Sequence, residues 1–127
     1  MHRVWVKICG VRDVATALLA AEAGADAVGL NFYARSPRYV DVDAAAEIVA
    51  QLPVATEAIG LFVNSSPAEV RAIAGRCGLR TLQLHGDEPP EQLAELADFR
   101  LIRAFRVGDA GLADLDAALA QYAKLGV

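Results

Sequence analysis

The stretch Ala58-Ile59-Gly60-Leu61-Phe62-Val63-Asn64-Ser65-Ser66-Pro67-Ala68-Glu69 passes from an apolar run straight into a helix start. Ala58–Val63 has the length and composition of a buried strand. Ser66-Pro67-Ala68-Glu69 has capping-box spacing, with proline at the first helical position, where an amide would lack a partner anyway. A strand that feeds a helix in this way is half of a βαβ unit, and the arrangement repeats on both sides. Upstream, Val4–Cys9 is a compact β-branched run leading into Asp13–Ala23, where leucine and alanine recur at helical spacing. Ala27–Tyr33 reads as the second strand, followed by a loop holding Ser36-Pro37 and a helix across Ala44–Leu52. Downstream, Thr81–His85 is the fourth strand, and Pro89-Pro90 opens a helix reaching Ala97. Leu101–Val107 and Leu112–Lys124 form the fifth pair, and Leu125-Gly126-Val127 resembles a helix C-cap turning towards another strand.

Strands alternating with helices of this length imply parallel pairing and right-handed crossovers. Two architectures fit. An open flavodoxin-like sheet would be completed by five such units. The other is part of a TIM (βα)8 barrel. From Val4 to Arg100 each unit takes about 24 residues, so eight need about 190, close to the lower limit of roughly 200 for such barrels. Length alone favours the open sheet, and the residues at the strand ends reverse that preference.

Composition narrows the function classes. The 127 residues carry net charge −4, are 55% hydrophobic and have a sequence pI near 5.1. An intrinsically disordered chain would be poorer in apolar residues. No apolar run approaches the roughly 18 residues of a membrane span, and the N-terminal Met1–Lys7 meets charge too early for a signal peptide. Cys9 and Cys77 lie too far apart to suggest a disulfide framework or zinc spacing, so no metal site is expected and a reducing cytoplasm is the natural location. Arg100, Arg103 and Arg106 are the only local basic group, too short for a nucleic-acid footprint.

In both architectures, active groups collect at the C-terminal ends of the strands. There the chain offers Lys7-Ile8-Cys9-Gly10, then Asn31-Phe32-Tyr33-Ala34-Arg35-Ser36-Pro37-Arg38-Tyr39, Gly60-Leu61-Phe62-Val63-Asn64, Leu82-Gln83-Leu84-His85-Gly86-Asp87-Glu88, and Ile102–Arg106. Polar residues are read as sparse where the strands begin. An open-sheet receiver or binding domain would place an acidic cluster or a phosphate-binding glycine loop after strand one, and Cys9-Gly10-Val11-Arg12 is neither.

K-I-C-G, N-F-Y-x-x-S-P-R-Y, G-L-F-V-N and L-Q-L-H-G-D-E resemble, in this order and spacing, the motifs of the phosphoribosylanthranilate isomerase family. Each motif alone is weak, whereas four in register across Lys7–Glu88 are specific. The resemblance covers essentially the whole chain but only about the first five of the family's eight βα units. It implies a single partial (βα)-barrel domain over 1–127 lacking strands six to eight. It also implies an Amadori rearrangement in tryptophan biosynthesis. A general acid protonates the ribose ring oxygen, the sugar opens to a Schiff base, and a general base takes the C2′ proton. The resulting enolamine tautomerises to the 1-deoxyribulose product. No metal or organic cofactor is implied, because the substrate's imine is the electron sink. The implied partner is a small phosphosugar-anthranilate substrate, with no nucleic acid and no membrane.

Within that resemblance, Cys9 matches the general base. Alternation along a strand puts Lys7 and Cys9 on one face about 6.6 Å apart, where an ammonium favours the thiolate form that accepts a proton. A buried structural cysteine is the alternative, and Cys77 is read that way. Arg38 matches a loop arginine that would fork onto the anthranilate carboxylate, with solvated Arg38 or neighbouring Arg35 as the competing readings. Gln83 and His85 share a strand face and are candidate substrate-lining groups, His85 being alternatively a satisfied core histidine. Asn64 is a pocket donor or a turn residue. Asp41, Asp87, Asp114 and Asp116 are assigned to helix starts or solvated faces. The family's general acid is an aspartate at the end of strand six, and its phosphate site follows strands seven and eight. The 127-residue chain alone is therefore expected to lack substantial isomerase activity. Unpaired edges at strands one and five suggest self-association or pairing with a C-terminal half-barrel. A non-catalytic βα assembly module is the alternative function.

Overall fold

The structure, a computed structural model, describes residues 2–108 and 111–127; Met1, at the head of the N-terminal stretch read above, lies outside them. Five strands alternate with five helices: β1 (Lys7–Cys9), α1 (Val14–Glu22), β2 (Ala27–Asn31), α2 (Val42–Gln51), β3 (Glu57–Phe62), α3 (Pro67–Cys77), β4 (Thr81–Leu84), α4 (Pro90–Glu95), β5 (Arg100–Arg103) and α5 (Leu112–Ala123). All pairings are parallel, and the strand order is β1-β2-β3-β4-β5. A doubly wound sheet reverses its order at a switch point. Here the chain winds in one direction only. With right-handed crossovers, that winding carries every helix to the same face, as in a segment of a (βα) barrel.

The two faces differ accordingly. Val28, Leu30, Phe62, Leu82 and Leu84 point to the helices and join Ala17, Ala45, Ile48, Val70, Ala74, Leu93 and Leu96 in one buried cluster. Their strand neighbours Lys7, Cys9, Gly29, Asn31, Gln83 and Ile102 face the concave side. Helix starts follow the local chemistry. Asp13 and Asp41 cap α1 and α2, and Ser66 Oγ accepts from Glu69 N at 3.2 Å, one of the two bonds of a capping box. Gly78, in the left-handed region at φ +74°, closes α3. Between α3 and α4, Arg71 forks onto Asp98 at 2.6 and 2.9 Å and also donates to the Glu95 carbonyl.

Every predicted element exists; most boundaries differ by a residue or two, and the larger changes at β1, β2 and β5 have clear reasons. β1 is shorter than Val4–Cys9, because its partner β2 begins only at Ala27; Val4, Trp5 and Val6 are left exposed, with Val6 N donating to the Asp26 carboxylate at 2.8 Å. β2 ends at Asn31, where the loop turns back, and β5 ends at Arg103 rather than Val107, since β4 offers nothing beyond Leu84 to pair with. Polar residues are not sparse at the strand starts. Thr81 Oγ1 donates to Glu57, and Arg100 approaches the same carboxylate at 3.9 Å. These three form a polar floor beside Ile59, the buried ladder partner of Thr81.

Candidate active site

Cys9 ends β1 with an exposed, free thiol. Its Cα partner across the ladder is Gly29 of β2. A Cβ built on Gly29 would sit 3.0 Å from Cys9 Sγ and 3.3 Å from Lys7 Nζ. Thiol and ammonium therefore converge on one spot on the concave face, as the shared strand face of Lys7 and Cys9 anticipates. The Lys7 side chain lies along the sheet and its Nζ donates to Gln83 Oε1 on β4. Lys7, Cys9, Gln83, His85, Asn64 and Arg38 all line a cavity of about 840 Å³ at the C-terminal ends of the strands.

The loop after β2 brings Arg38 there. Asn31, buried at the strand end, uses its side chain as a hub: Oδ1 accepts from Tyr33 N at 2.8 Å, and Nδ2 donates to Ser36 Oγ at 3.2 Å. Ser36 Oγ in turn accepts from Arg38 N at 3.1 Å, and Val40 N returns to the Asn31 carbonyl at 2.9 Å. The loop is thus folded back onto the end of its own strand. The Arg38 stem lies on Gly10, whose added Cβ would come within 2.6 Å of Arg38 Cδ. Gly10 also has φ +83°, so both its conformation and its contact call for glycine.

The third wall comes from the loops after β3 and β4. Asn64 is in the left-handed region at φ +53°, and its Oδ1 accepts from Asp87 N at 2.7 Å. Beneath them, the fully buried Glu88 carboxylate accepts from Asn64 N at 2.9 Å and Gly86 N at 2.8 Å. Arg103 Nη1 lies 4.0 Å from Glu88, too far for a hydrogen bond but close enough for attraction, and its guanidinium stacks over Phe105 at 4.7 Å and Tyr122 at 5.4 Å. Tyr122 closes the cluster by donating to the Glu88 carbonyl at 2.7 Å. The site rim is fixed from below by one carboxylate.

This arrangement can be set against known proteins. The N-(5'-phosphoribosyl)anthranilate (PRA) isomerase family matches residues 6–124. The chain belongs to that family. The isomerase of Geobacter sulfurreducens is 52% identical over 106 residues, covering 84% of this chain, and that of Herminiimonas arsenicoxydans is 46% identical over 119 residues, covering 91%. The chain spans about half the length of these relatives, 52% in both cases. Among solved structures, phosphoribosylanthranilate isomerase from Thermotoga maritima is 39% identical with a TM-score of 0.85, over 93% of this chain and 57% of that one. A second isomerase structure, in complex with reduced 1-(o-carboxyphenylamino)-1-deoxyribulose 5-phosphate, is 38% identical with a TM-score of 0.86, over 93% of this chain and 60% of that one.

All six residues singled out from the isomerase motifs thus meet at one cavity. Arg38 lines it and Arg35 does not feature in its wall. Asn64 is a turn residue by conformation while also lining the cavity. Cys77 is buried on α3, its Sγ 3.6 Å from the Val42 carbonyl oxygen, and burial pushes its thiol pKa up. Arg100, Arg103 and Arg106 do not act as one basic group. Arg100 joins the polar floor, Arg103 stacks on Phe105 and Tyr122, and Arg106 lines the cavity. Sequence reading assigned no role to Asn31, Gly29, Glu88 or Arg103. Asn31 and Glu88 stood inside the quoted motifs; Asn31 holds Tyr33 and Ser36 of its own motif, whereas Glu88 also reaches Asn64 in another one.

Proposed function

We propose that this chain supplies the base-bearing wall of an active site that converts N-(5'-phosphoribosyl)anthranilate to 1-(2-carboxyphenylamino)-1-deoxyribulose 5-phosphate in tryptophan biosynthesis. The observation that carries the reading is the convergence of the Cys9 thiol and Lys7 ammonium on Gly29, with the Arg38 stem seated alongside on Gly10. The ligand of the 38% identical isomerase structure, a carboxyphenylamino sugar phosphate, supports the substrate class. In this reading Cys9 removes the C2′ proton of the opened Schiff base, and the electrons flow into the imine to give the enolamine. Lys7, fixed by Gln83, supplies positive charge beside the thiol. Arg38 forks onto the anthranilate carboxylate, and Asn64 and His85 line the substrate. A reducing cytoplasm keeps Cys9 unoxidised, the redox state from which the proton-accepting thiolate forms.

Protonation of the ring oxygen is assigned to a group outside Asp41, Asp87, Asp114 and Asp116. Asp41 caps α2, Asp114 and Asp116 lie on α5, and Asp87 is an exposed rim residue. Residues 1–127 are read as part of a barrel whose remaining strands pair at the open edges. The apolar hollow of about 320 Å³ beside β5 and α5, lined by Leu101, Phe105, Leu119 and Val127, supports such pairing, as do exposed Val4, Trp5 and Ile8 at β1. The test is to add a polypeptide carrying strands six to eight of a relative to the purified 127-residue chain and follow substrate conversion. Conversion is expected for the pair and not for either part, and Cys9→Ala should abolish it. No conversion by a stable pair sinks this reading and favours the second one, a βα module that assembles without catalysing. Substantial conversion by the 127-residue chain alone would remove the acid from strand six.

A further inference from the structure

Gly29 lies inside β2, a place where glycine is disfavoured because it weakens a strand and offers no side chain to pack. Its φ is not in the left-handed region, unlike that of Gly10, so the backbone does not demand glycine. The space does. A Cβ would stand 3.0 Å from Cys9 Sγ, 3.2 Å from Cys9 Cα and 3.3 Å from Lys7 Nζ, all tighter than ordinary carbon contacts. The Lys7 side chain starts on β1 and carries its Nζ over β2, where Gln83 of β4 accepts from it. It passes over Gly29. The Gly29 carbonyl also accepts from both Gly10 N and Val11 N at 3.1 Å, fixing the turn that follows Cys9.

We infer that Gly29 is a positioning residue whose missing side chain keeps the Lys7 ammonium laid flat beside the Cys9 thiol. A side chain at 29 would lift Lys7 off the sheet and away from both Cys9 and Gln83. This deepens the proposed function, resting on Cys9 and Lys7 as its working pair, and its test requires no turnover.

The experiment uses the 127-residue chain and two thiol probes, anionic iodoacetate and neutral iodoacetamide, with alkylation of Cys9 followed by peptide mass. Thiol reactivity affects both reagents, so their rate ratio isolates the pull of nearby charge on the anionic one. Buried Cys77 serves as an internal gauge of folding. Lys7→Met should lower the ratio about fourfold, the effect of one unit charge at about 5 Å in water-like surroundings. Gly29→Ala should lower it measurably but by less than Lys7→Met does, because the charge is displaced and not removed. The double variant should match Lys7→Met alone in this ratio, because the new Cβ alters the charge near Cys9 only through Lys7, while its direct contact with Cys9 affects both reagents.

A Gly29→Ala ratio equal to that of the unaltered chain, or a double variant whose loss is the product of the two singles, overturns the inference while leaving the Lys7–Cys9 pair intact. An unchanged ratio in Lys7→Met removes the pair itself and the inference with it. Should Gly29→Ala expose Cys77, signalling loss of fold, Gly29→Ala combined with Lys7→Ala decides. Renewed protection of Cys77 supports the clash with Lys7, and continued exposure refutes it.

Discussion

Replacing Glu88 with alanine should cost more stability than any surface change in this chain. The carboxylate is fully buried, accepts two backbone amides at 2.8 and 2.9 Å, and sits 4.0 Å from an arginine whose side chain is only 9% exposed. Hydrogen bonds to a charged acceptor contribute about 1.5–3 kcal/mol each, and breaking a buried ion pair from one side typically costs about 3–5 kcal/mol. These effects overlap, because the same carboxylate serves all three partners. The pair distance is also too long for a direct bond. The expected loss for Glu88→Ala is therefore about 4 kcal/mol, most of it from two stranded amides and an unneutralised guanidinium. Glu88→Gln keeps the volume and one acceptor oxygen but turns an NH₂ towards the second amide, giving about 2 kcal/mol.

Urea denaturation at neutral pH reads both values from the midpoint and slope. A domain of this size typically has only about 5–15 kcal/mol to lose, so Glu88→Gln carries the measurement where Glu88→Ala does not fold. Arg103→Met separates the contributions. Among the described residues Arg103 Nε has no hydrogen-bond partner, so its burial is itself costly. Combined with Glu88→Gln, Arg103→Met should recover about 1 kcal/mol relative to the sum of the single changes. A loss below 1 kcal/mol in Glu88→Gln would refute the view that this carboxylate holds the rim together.

Three further outcomes are expected. Asp98 has its pKa lowered chiefly by its hydrogen bonds to Arg71, so its contribution to stability is present above the ordinary carboxylate value of 3.8 and is lost as pH falls through the lower folded value; acid titration of unfolding should show a shallower fall at that end for Asp98→Asn. Gly10→Ala should lose about 1–2 kcal/mol from its left-handed backbone plus a steric part from Arg38 Cδ at 2.6 Å, and adding Arg38→Ala should restore only the steric part in urea unfolding. Ser66→Ala removes the cap on Glu69 N and should lower stability by about 1 kcal/mol, visible as a lower thermal midpoint, with equal stability counting against the cap.

What could be read from sequence depended on how far apart in the chain the cooperating groups lie. Asp13, Asp41 and Ser66 cap their own helices three residues away; the α3 start was legible from spacing alone, whereas Asp13 was read as helical and α2 was read two residues late, at Ala44. Strand lengths were not, because a strand ends where its neighbour stops offering amides and carbonyls; Val4–Val6 are as apolar as any strand residue, yet the β1–β2 ladder begins only at Lys7. The arginines at 100, 103 and 106 looked alike in sequence; Arg100 and Arg103 parted because successive residues of β5 face opposite sides of the sheet, and Arg106 lies beyond the strand's end.

The candidate site divides along the same line. Sequential winding puts every helix on one face, so alternate strand residues on the other are left free of the core. Lys7 and Cys9, or Gln83 and His85, could be grouped by that two-residue period without knowing any pairing. Gly29 could not, since its meaning comes from standing opposite Cys9 in the ladder, and register is set by the two strands together. Nor could Glu88, whose acidic side chain suggests solvent until Asn64 N, Gly86 N and Arg103 are seen around it. Groups that would touch a substrate must project from strand ends, where periodicity exposes them. Groups that hold those ends in place act through contacts across the fold, and the alkylation and Glu88 experiments address this second set.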